Sequence, residues 1–272
     1  MSNPLSLTPA QAARAFLTPR RPATLVPLDL PDAQELRLQT AESELAAVAA
    51  GDGPTVLLVH GWEGQASDFG AIAFALLASG HRVVAIDLPA HGRSAGTRTS
   101  IPASARALLQ AAPALGPLHA VVAHSVGSAV AITAMARGLA VGRAVLLAAP
   151  AHYADYAGFF AQQAGLDAVQ AREMIDRLRD EGVDVHAHSA PVLARQLSQP
   201  ALYVHSADDQ VVAIADAEAA SAAWPGARLL RVEGLGHRRL LSDPQVVAAV
   251  TGFVAESAEP MGANGEPVSI AA

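Results

Sequence analysis

Lysine and cysteine are missing from this 272-residue chain; all 18 of its basic residues are arginine. Each absence removes a class of chemistry. Without lysine there is no Schiff base, so pyridoxal-phosphate catalysis and Schiff-base aldolases are excluded. A phosphate-binding loop that relies on its lysine is excluded as well. Without cysteine there is no thiol nucleophile, no disulfide and no thiolate metal site. No G-x-G-x-x-G follows a strand-like run, so a nicotinamide or flavin site has no support, and no cofactor is expected. The net charge is −7 and no basic stripe occurs, which argues against a nucleic-acid partner. Aromatic residues make up only 4% of the chain, so its packing must rest on Ala, Val and Leu.

Long uninterrupted apolar runs are lacking too. The longest, Leu118–Ala136, contains His119, His124 and Ser125. These would break a membrane helix, so the run reads as a core strand plus a helix, and no stable membrane insertion is expected. The N-terminus shows no charged start followed by an apolar core and a cleavage site. No secretory signal is therefore read and a cytoplasmic location is expected, although Arg14, Arg20 and Arg21 with no acid in residues 1–28 leave room for a transit peptide.

What is present is a 51% hydrophobic chain of a length suited to one large domain. Residues 1–33 are Pro-rich, with a short helical stretch near Pro9–Leu17. Ala33–Thr40 and Ser43–Ala49 read as a pair of antiparallel edge strands. Strand patterns then alternate with helical ones: Val56–Val59, Arg82–Asp87, His119–Ala123, Ala144–Ala148, Ala201–His205 and Arg228–Val232. Such alternation predicts a mostly parallel sheet with helices on both faces. The interval between Ala148 and Ala201 is too long for an ordinary crossover. It is expected to be helical, with Val169, Met174, Ile175 and Leu178 at helical spacing in Asp167–Arg179. The core is thus expected over 34–150 and 200–255, an insertion over 151–199, and a disordered polar tail over 256–272.

The most informative stretch lies at the end of one strand. The apolar run Leu118–Ala123 stops at His124-Ser125, and a helical pattern follows after Val126-Gly127. A strand that turns this sharply into a helix lifts a serine hydroxyl clear of the sheet. The flanking residues Ala123 and Gly127 are small, as the turn requires. The turn also aims backbone N–H groups at one spot, where a developing oxyanion would be stabilised. Upstream, the strand ending at Val59 runs into His60-Gly61-Trp62, where the Trp62 N–H can point at a reacting carbonyl oxygen. The N–H groups of Trp62 and Val126 are the expected oxyanion donors. Downstream, Asp208-Asp209 and Gly236-His237 each follow a strand. The order Ser, Asp, His goes with this kind of elbow. The adjacent carboxylates of Asp208 and Asp209 cannot both point at His237.

At these residues the chain resembles the α/β-hydrolase superfamily, and within it the short-cap esterase and lipase-like members. The resemblance covers roughly Val56 to Val254. It rests on H-G-W at 60–62, D-L-P-A-H-G-R-S at 87–94, A-H-S-V-G at 123–127, S-A-D-D-Q-V-V at 206–212 and G-L-G-H at 234–237. It implies the α/β-hydrolase fold, with the 151–199 insertion as a helical cap. It implies Ser125 as nucleophile, His237 as general base and, by the family's spacing after the strand end, Asp209 as the triad acid. Asp208 is then expected to shape its turn through local backbone N–H groups. Asp87, His60, His91 and His124 are expected to be scaffold. His186 and His188 would share one face of a strand, but without a third ligand a metal site is not expected. Arg238 and Arg239 fit either a substrate anion or a solvated helix start. The activity implied is hydrolysis of a small-molecule carboxylic ester through an acyl-enzyme. A thioesterase, lactonase or acyltransferase would use the same triad, and an idle scaffold used for binding would not react with a fluorophosphonate.

Overall fold

The computed structural model of the protein describes residues 7–256, so the expected tail lies outside the described residues except for Glu256. Eight strands among them form one sheet: β1 (Gln34–Gln39), β2 (Glu44–Ala50), β3 (Thr55–Val59), β4 (Arg82–Ile86), β5 (Leu118–His124), β6 (Val141–Leu147), β7 (Ala201–Ser206) and β8 (Arg228–Val232). Their spatial order is β1-β2-β4-β3-β5-β6-β7-β8. The first two strands pair antiparallel, with Gln34 opposite Ala49, and β2 runs antiparallel to β4. From β4 onward every pairing is parallel.

The expected strands stand within a residue or two of these, except that β6 starts earlier than the expected Ala144. Gly142 and Arg143 look like loop residues, yet Val141 and Arg143 continue the ladder opposite Leu118 and Ala120. Arg143 is buried there. Its guanidinium donates to the Phe253 carbonyl and lies 5.3 Å from the centre of that ring.

Nine α-helices occupy the intervals among the described residues: α1 (Pro9–Phe16), α2 (Gly70–Ala78), α3 (Ile101–Leu115), α4 (Val126–Ala136), α5 (Tyr153–Gln163), α6 (Ala168–Asp180), α7 (Ala190–Ala194), α8 (Ile214–Ala223) and α9 (Pro244–Ala255). Strand periodicity divides the core into two layers. Val56 and Leu58, Val83 and Ala85, and Ala120 and Val122 face α2 and α9 through Ile72, Leu76, Val250 and Phe253. The alternate residues Leu57 and Val59, Val84 and Ile86, and Val121 and Ala123 face α3 and α4 through Leu108 and Val130. Apolar cover on both faces is why the inner strands read as unbroken hydrophobic runs. Each fully buried Leu or Val contributes about 1.5–3 kcal/mol relative to exposure. None of these helices is long and apolar enough to cross a membrane.

The interval between β6 and β7 is helical, as its pattern predicts. Asp167 caps α6 by accepting the Val169 and Gln170 N–H groups. Met174 and Leu178 are buried and Ile175 half-buried, but Val169 points to solvent: it lies in the first turn, off the packed face. His186 and His188 do not share a strand. Asp184 accepts the His186 N–H and winds Val185–Ala187 into a 3₁₀ turn, which leaves His186 exposed and buries His188. The Pro-rich N-terminal segment is not a separate piece. Thr8 caps α1, α1 packs on α6, and the Leu7 N–H donates to the Ala164 carbonyl.

Candidate active site

Ser125 sits between β5 and α4 with φ 53° and ψ −128°, in the left-handed half of backbone space. A non-glycine residue held there costs on the order of 1–3 kcal/mol, which the surroundings must offset. They do so through the Ser125 N–H, which donates to the Leu147 carbonyl at 2.8 Å. The Ser128 hydroxyl adds a bond to the Ala123 carbonyl at 3.0 Å. Gly127 lies against the end of β3: a Cβ there would stand 2.4 Å from the carbonyl oxygens of both Val59 and His60. The elbow is therefore wedged between β3 and β6.

Three side chains from separate loops converge on this point. His237 Nε2 is 3.0 Å from the Ser125 hydroxyl, and His237 Nδ1 is 2.8 Å from Asp209 Oδ2. The carboxylate implies the proton on Nδ1, leaving Nε2 free to accept the hydroxyl proton. Asp209 is buried, and its Oδ1 accepts the Val211 and Val212 N–H groups at 2.8 and 3.0 Å. Burial pushes this carboxyl up. Hydrogen bonds from His205, His237 and the two N–H groups outweigh burial and hold it well below the usual carboxylate range.

Asp208 has a different part from the one its sequence position predicts. It accepts from the Ser206 hydroxyl and, at 3.1 Å, from the Gly236 N–H. The local turn N–H groups go to Asp209 instead. Asp208 thus ties the β7 loop to the loop that carries His237, a link between residues 28 apart in the chain.

The loop after β3 closes the other side. A Cβ on Gly61 would lie 2.9 Å from the Ser125 Cβ, so the backbone entering Trp62 passes directly beside the serine. Neither the Trp62 nor the Val126 N–H is taken by another group among the described residues. The next residue, Glu63, accepts from Arg20 through its backbone N–H at 3.1 Å and its Nε at 3.0 Å.

The remaining histidines hold backbone. His60 donates from Nδ1 to the Gly61 carbonyl and accepts the Leu88 N–H on Nε2. His124 donates from Nε2 to the His237 carbonyl. His91 donates from Nδ1 to the Pro89 carbonyl, and the Trp62 ring meets it edge-on at 5.2 Å. Burial pushes His60 and His91 down to about 4 and His124 down to about 3, so all three are neutral at pH 7. Asp87 accepts the Ala66 and Arg93 N–H groups, which binds the loops after β3 and β4 together. Arg239 folds back onto the carbonyls of Gly234 and Leu235. Among the described residues no group of three His, Asp or Glu side chains is placed to hold a metal ion.

Ser125 and His237 open into a cavity of about 380 Å³, and Trp62, Val126 and Arg238 also line it. The family model described as the alpha/beta hydrolase family matches residues 56–250. The chain belongs to the α/β-hydrolase family. Its fold is the α/β-hydrolase fold, and solved structures agree. An esterase from Pyrococcus furiosus superposes with a TM-score of 0.67 at 18% identity, covering 88% of this chain and 96% of that one. An esterase from Rhodococcus sp. gives 0.63 at 21%, covering 82% and 98%. An N-acyl homoserine lactone degrading enzyme gives 0.67 at 19%, covering 80% and 100%. No curated protein matches the chain in sequence.

Several residues of this α/β hydrolase's site carry no signal in the sequence. His205, fully buried on β7, has its Nε2 2.9 Å from the Val212 carbonyl and 3.5 Å from Asp209 Oδ2. It approaches the same carboxylate oxygen as His237 does. Asp216 on α8 accepts the Tyr156 hydroxyl at 3.1 Å and the Ala151 N–H at 2.9 Å, anchoring the start of the segment between β6 and β7. Phe16 of α1 reaches the cavity and stacks on Tyr153 at 5.4 Å. The Asp216 and Phe16 contacts join residues distant in the chain, and no local pattern announces them.

Proposed function

We propose that the protein is a serine hydrolase that cleaves small-molecule carboxylic esters without a cofactor, with Ser125, His237 and Asp209 as its triad. The observation that carries this reading is the unbroken hydrogen-bond chain from the Ser125 hydroxyl through His237 to Asp209, at 3.0 and 2.8 Å, at the wall of an apolar cavity. A serine hydroxyl is too weakly acidic to attack unaided. His237 Nε2 takes its proton as Oγ bonds to the ester carbonyl carbon. Asp209 keeps the ring in the required tautomer and stabilises the imidazolium. The N–H groups of Trp62 and Val126 receive the tetrahedral oxyanion. Collapse breaks the bond to the alcohol oxygen, which takes the proton back from His237. Water then gives its proton to His237, attacks the acyl carbon and releases the acid and free Ser125.

In this reading residues 151–199 act as a cap over the core of 34–150 and 200–255. Helix α5 contributes Tyr153, Tyr156, Phe159 and Phe160 to the cavity, and the N-terminal segment contributes Phe16. The test is the kcat of Ser125→Ala on a p-nitrophenyl ester. Loss of about a million-fold is expected, since triad members act as a unit. The melting temperature should not fall, because the strained position gains little from the side chain. Retention of more than about a hundredth of the activity contradicts the assignment.

A further inference from the structure

The cavity beside Ser125 differs in composition from the rest of the molecule. The chain has eleven aromatic side chains in 272 residues, and six of them line this one space: Phe16, Trp62, Tyr153, Tyr156, Phe159 and Phe160. The core itself is built from Ala, Val and Leu, with few rings. Most of these rings are held by specific contacts, whereas Phe159 is 61% exposed. Phe16 stacks on Tyr153 and meets Phe160 edge-on, both at 5.4 Å between centres, and Tyr156 is tied to Asp216. The other five rings are Phe69, Tyr203, Trp224 and Phe253, buried in the core, and the exposed Phe74, so this one space holds more than half of the chain's aromatic side chains. Fixed rings around a space gain most from a flat ligand, through offset and edge-to-face contacts worth more than the buried area alone.

One polar group within this apolar wall lacks a partner. His188 lines the cavity with 8% of its surface exposed. Its backbone is held, the carbonyl accepting the Tyr153 N–H at 3.2 Å, and its ring stands edge-on to Tyr153 at 6.3 Å. The ring Nδ1 is enclosed without a hydrogen bond among the described residues. Buried polar atoms are nearly always paired, so an exception calls for an explanation. Burial, then the nearby Arg137, lowers its proton affinity against the opposing effect of Asp184, so the ring is neutral. We assign its single proton to Nε2, because an enclosed orphan N–H is rarer than an unused acceptor lone pair. With the proton on Nε2, the enclosed Nδ1 is an unused acceptor and Nε2 is the ring's one donor, on a residue that lines the cavity.

We propose that the cavity takes an aromatic acyl group bearing a hydrogen-bond acceptor, and that His188 donates to that acceptor and sets the preference for it. This names a substrate class for the hydrolase reading and rests on it. The acceptor is a neutral ring substituent such as a methoxy or keto oxygen.

The experiment compares three methyl esters on the full chain: octanoate, 3-phenylpropanoate, and 3-(4-methoxyphenyl)propanoate. The readout is the ratio of kcat/KM between pairs within one enzyme preparation, so partial unfolding cancels. The wild type should favour the phenyl ester over octanoate, and the methoxy ester over the plain phenyl ester by about three- to tenfold, the scale of one neutral hydrogen bond. His188→Phe should bring the methoxy-to-phenyl ratio close to one. His188→Gln, which keeps a donor, should restore part of it. A wild-type preference for octanoate overturns the aromatic class. A methoxy-to-phenyl ratio unchanged in His188→Phe overturns the role of His188. The same three comparisons are made by calorimetric binding of the matching ethyl ketones, in which CH₂ replaces the ester oxygen. Ring and methoxy selectivity in binding without any ester turnover contradicts the hydrolase reading and leaves the cavity assignment standing. Absence of selectivity in both overturns the cavity assignment.

Discussion

Two neighbouring carboxylates have separate duties. Asp209 faces His237 at 2.8 Å, and Asp208 holds the Gly236 N–H at 3.1 Å. Asp209→Asn should preserve the fold but leave His237 in the wrong tautomer, lowering kcat by about ten-thousand-fold on the serine-protease precedent. Asp208→Asn keeps a side-chain acceptor for Gly236. It should cost less than about tenfold in kcat and about 1 kcal/mol of stability, the scale of a weakened hydrogen bond. The kcat and melting temperature of the two single mutants decide between them. A dead Asp208 variant beside an active Asp209 variant would move the acid by one residue. The need for one acid was legible in the sequence, because it follows a strand and precedes His237. The bridge from Asp208 to Gly236 was not, because nothing local couples residues 28 positions apart.

At the scale of elements, the elbow works only because β5, β3 and β6 meet behind it. A methyl group on Gly127 would press on the carbonyls of Val59, which ends β3, and of His60 just after it, and backbone cannot yield as a flexible side chain can. Gly127→Ala should therefore destabilise the protein by about 2 kcal/mol or more, within the range for overpacked sites, and reduce kcat as Ser125 shifts. Unchanged unfolding midpoint and unchanged kcat would contradict the wedge. The elbow itself could be read from sequence because strand, small residues and helix are contiguous there. The strands were legible for the same reason: their apolar runs are local. The start of β6 was hidden by Arg143, whose burial depends on the Phe253 carbonyl and ring. The cavity wall was hidden more deeply, since Phe16, Tyr153 and His188 come from three separate elements. The paired histidines 186 and 188 suggested a strand face, but the Asp184 cap turns the chain before a strand can form.

Over the whole molecule, buried neutral histidines set the response to acid. The unfolded chain takes up protons on histidine near its ordinary value of about 6.5. In the native protein His60 and His91 resist protonation down to about 4, and His124 down to about 3. Between these limits the unfolded state binds more protons, so stability is present above about pH 6.5 and falls as the pH drops. One such group costs about 3 kcal/mol by pH 4, a large part of the 5–15 kcal/mol typical of a whole domain. The lowered carboxyl of Asp209 adds a further loss below the ordinary carboxylate range. The urea midpoint should therefore decline steadily from pH 7 to pH 5; a flat midpoint across that interval would contradict the neutral assignments.

In the proposed reaction the folded chain activates Ser125 through His237. The most direct measurement treats the full-length protein with a fluorophosphonate and locates the adduct by peptide mass spectrometry. A single adduct on Ser125, formed far more slowly in His237→Ala, is the predicted result. No adduct on the folded protein, or an adduct on another serine with Ser125 untouched, would contradict it.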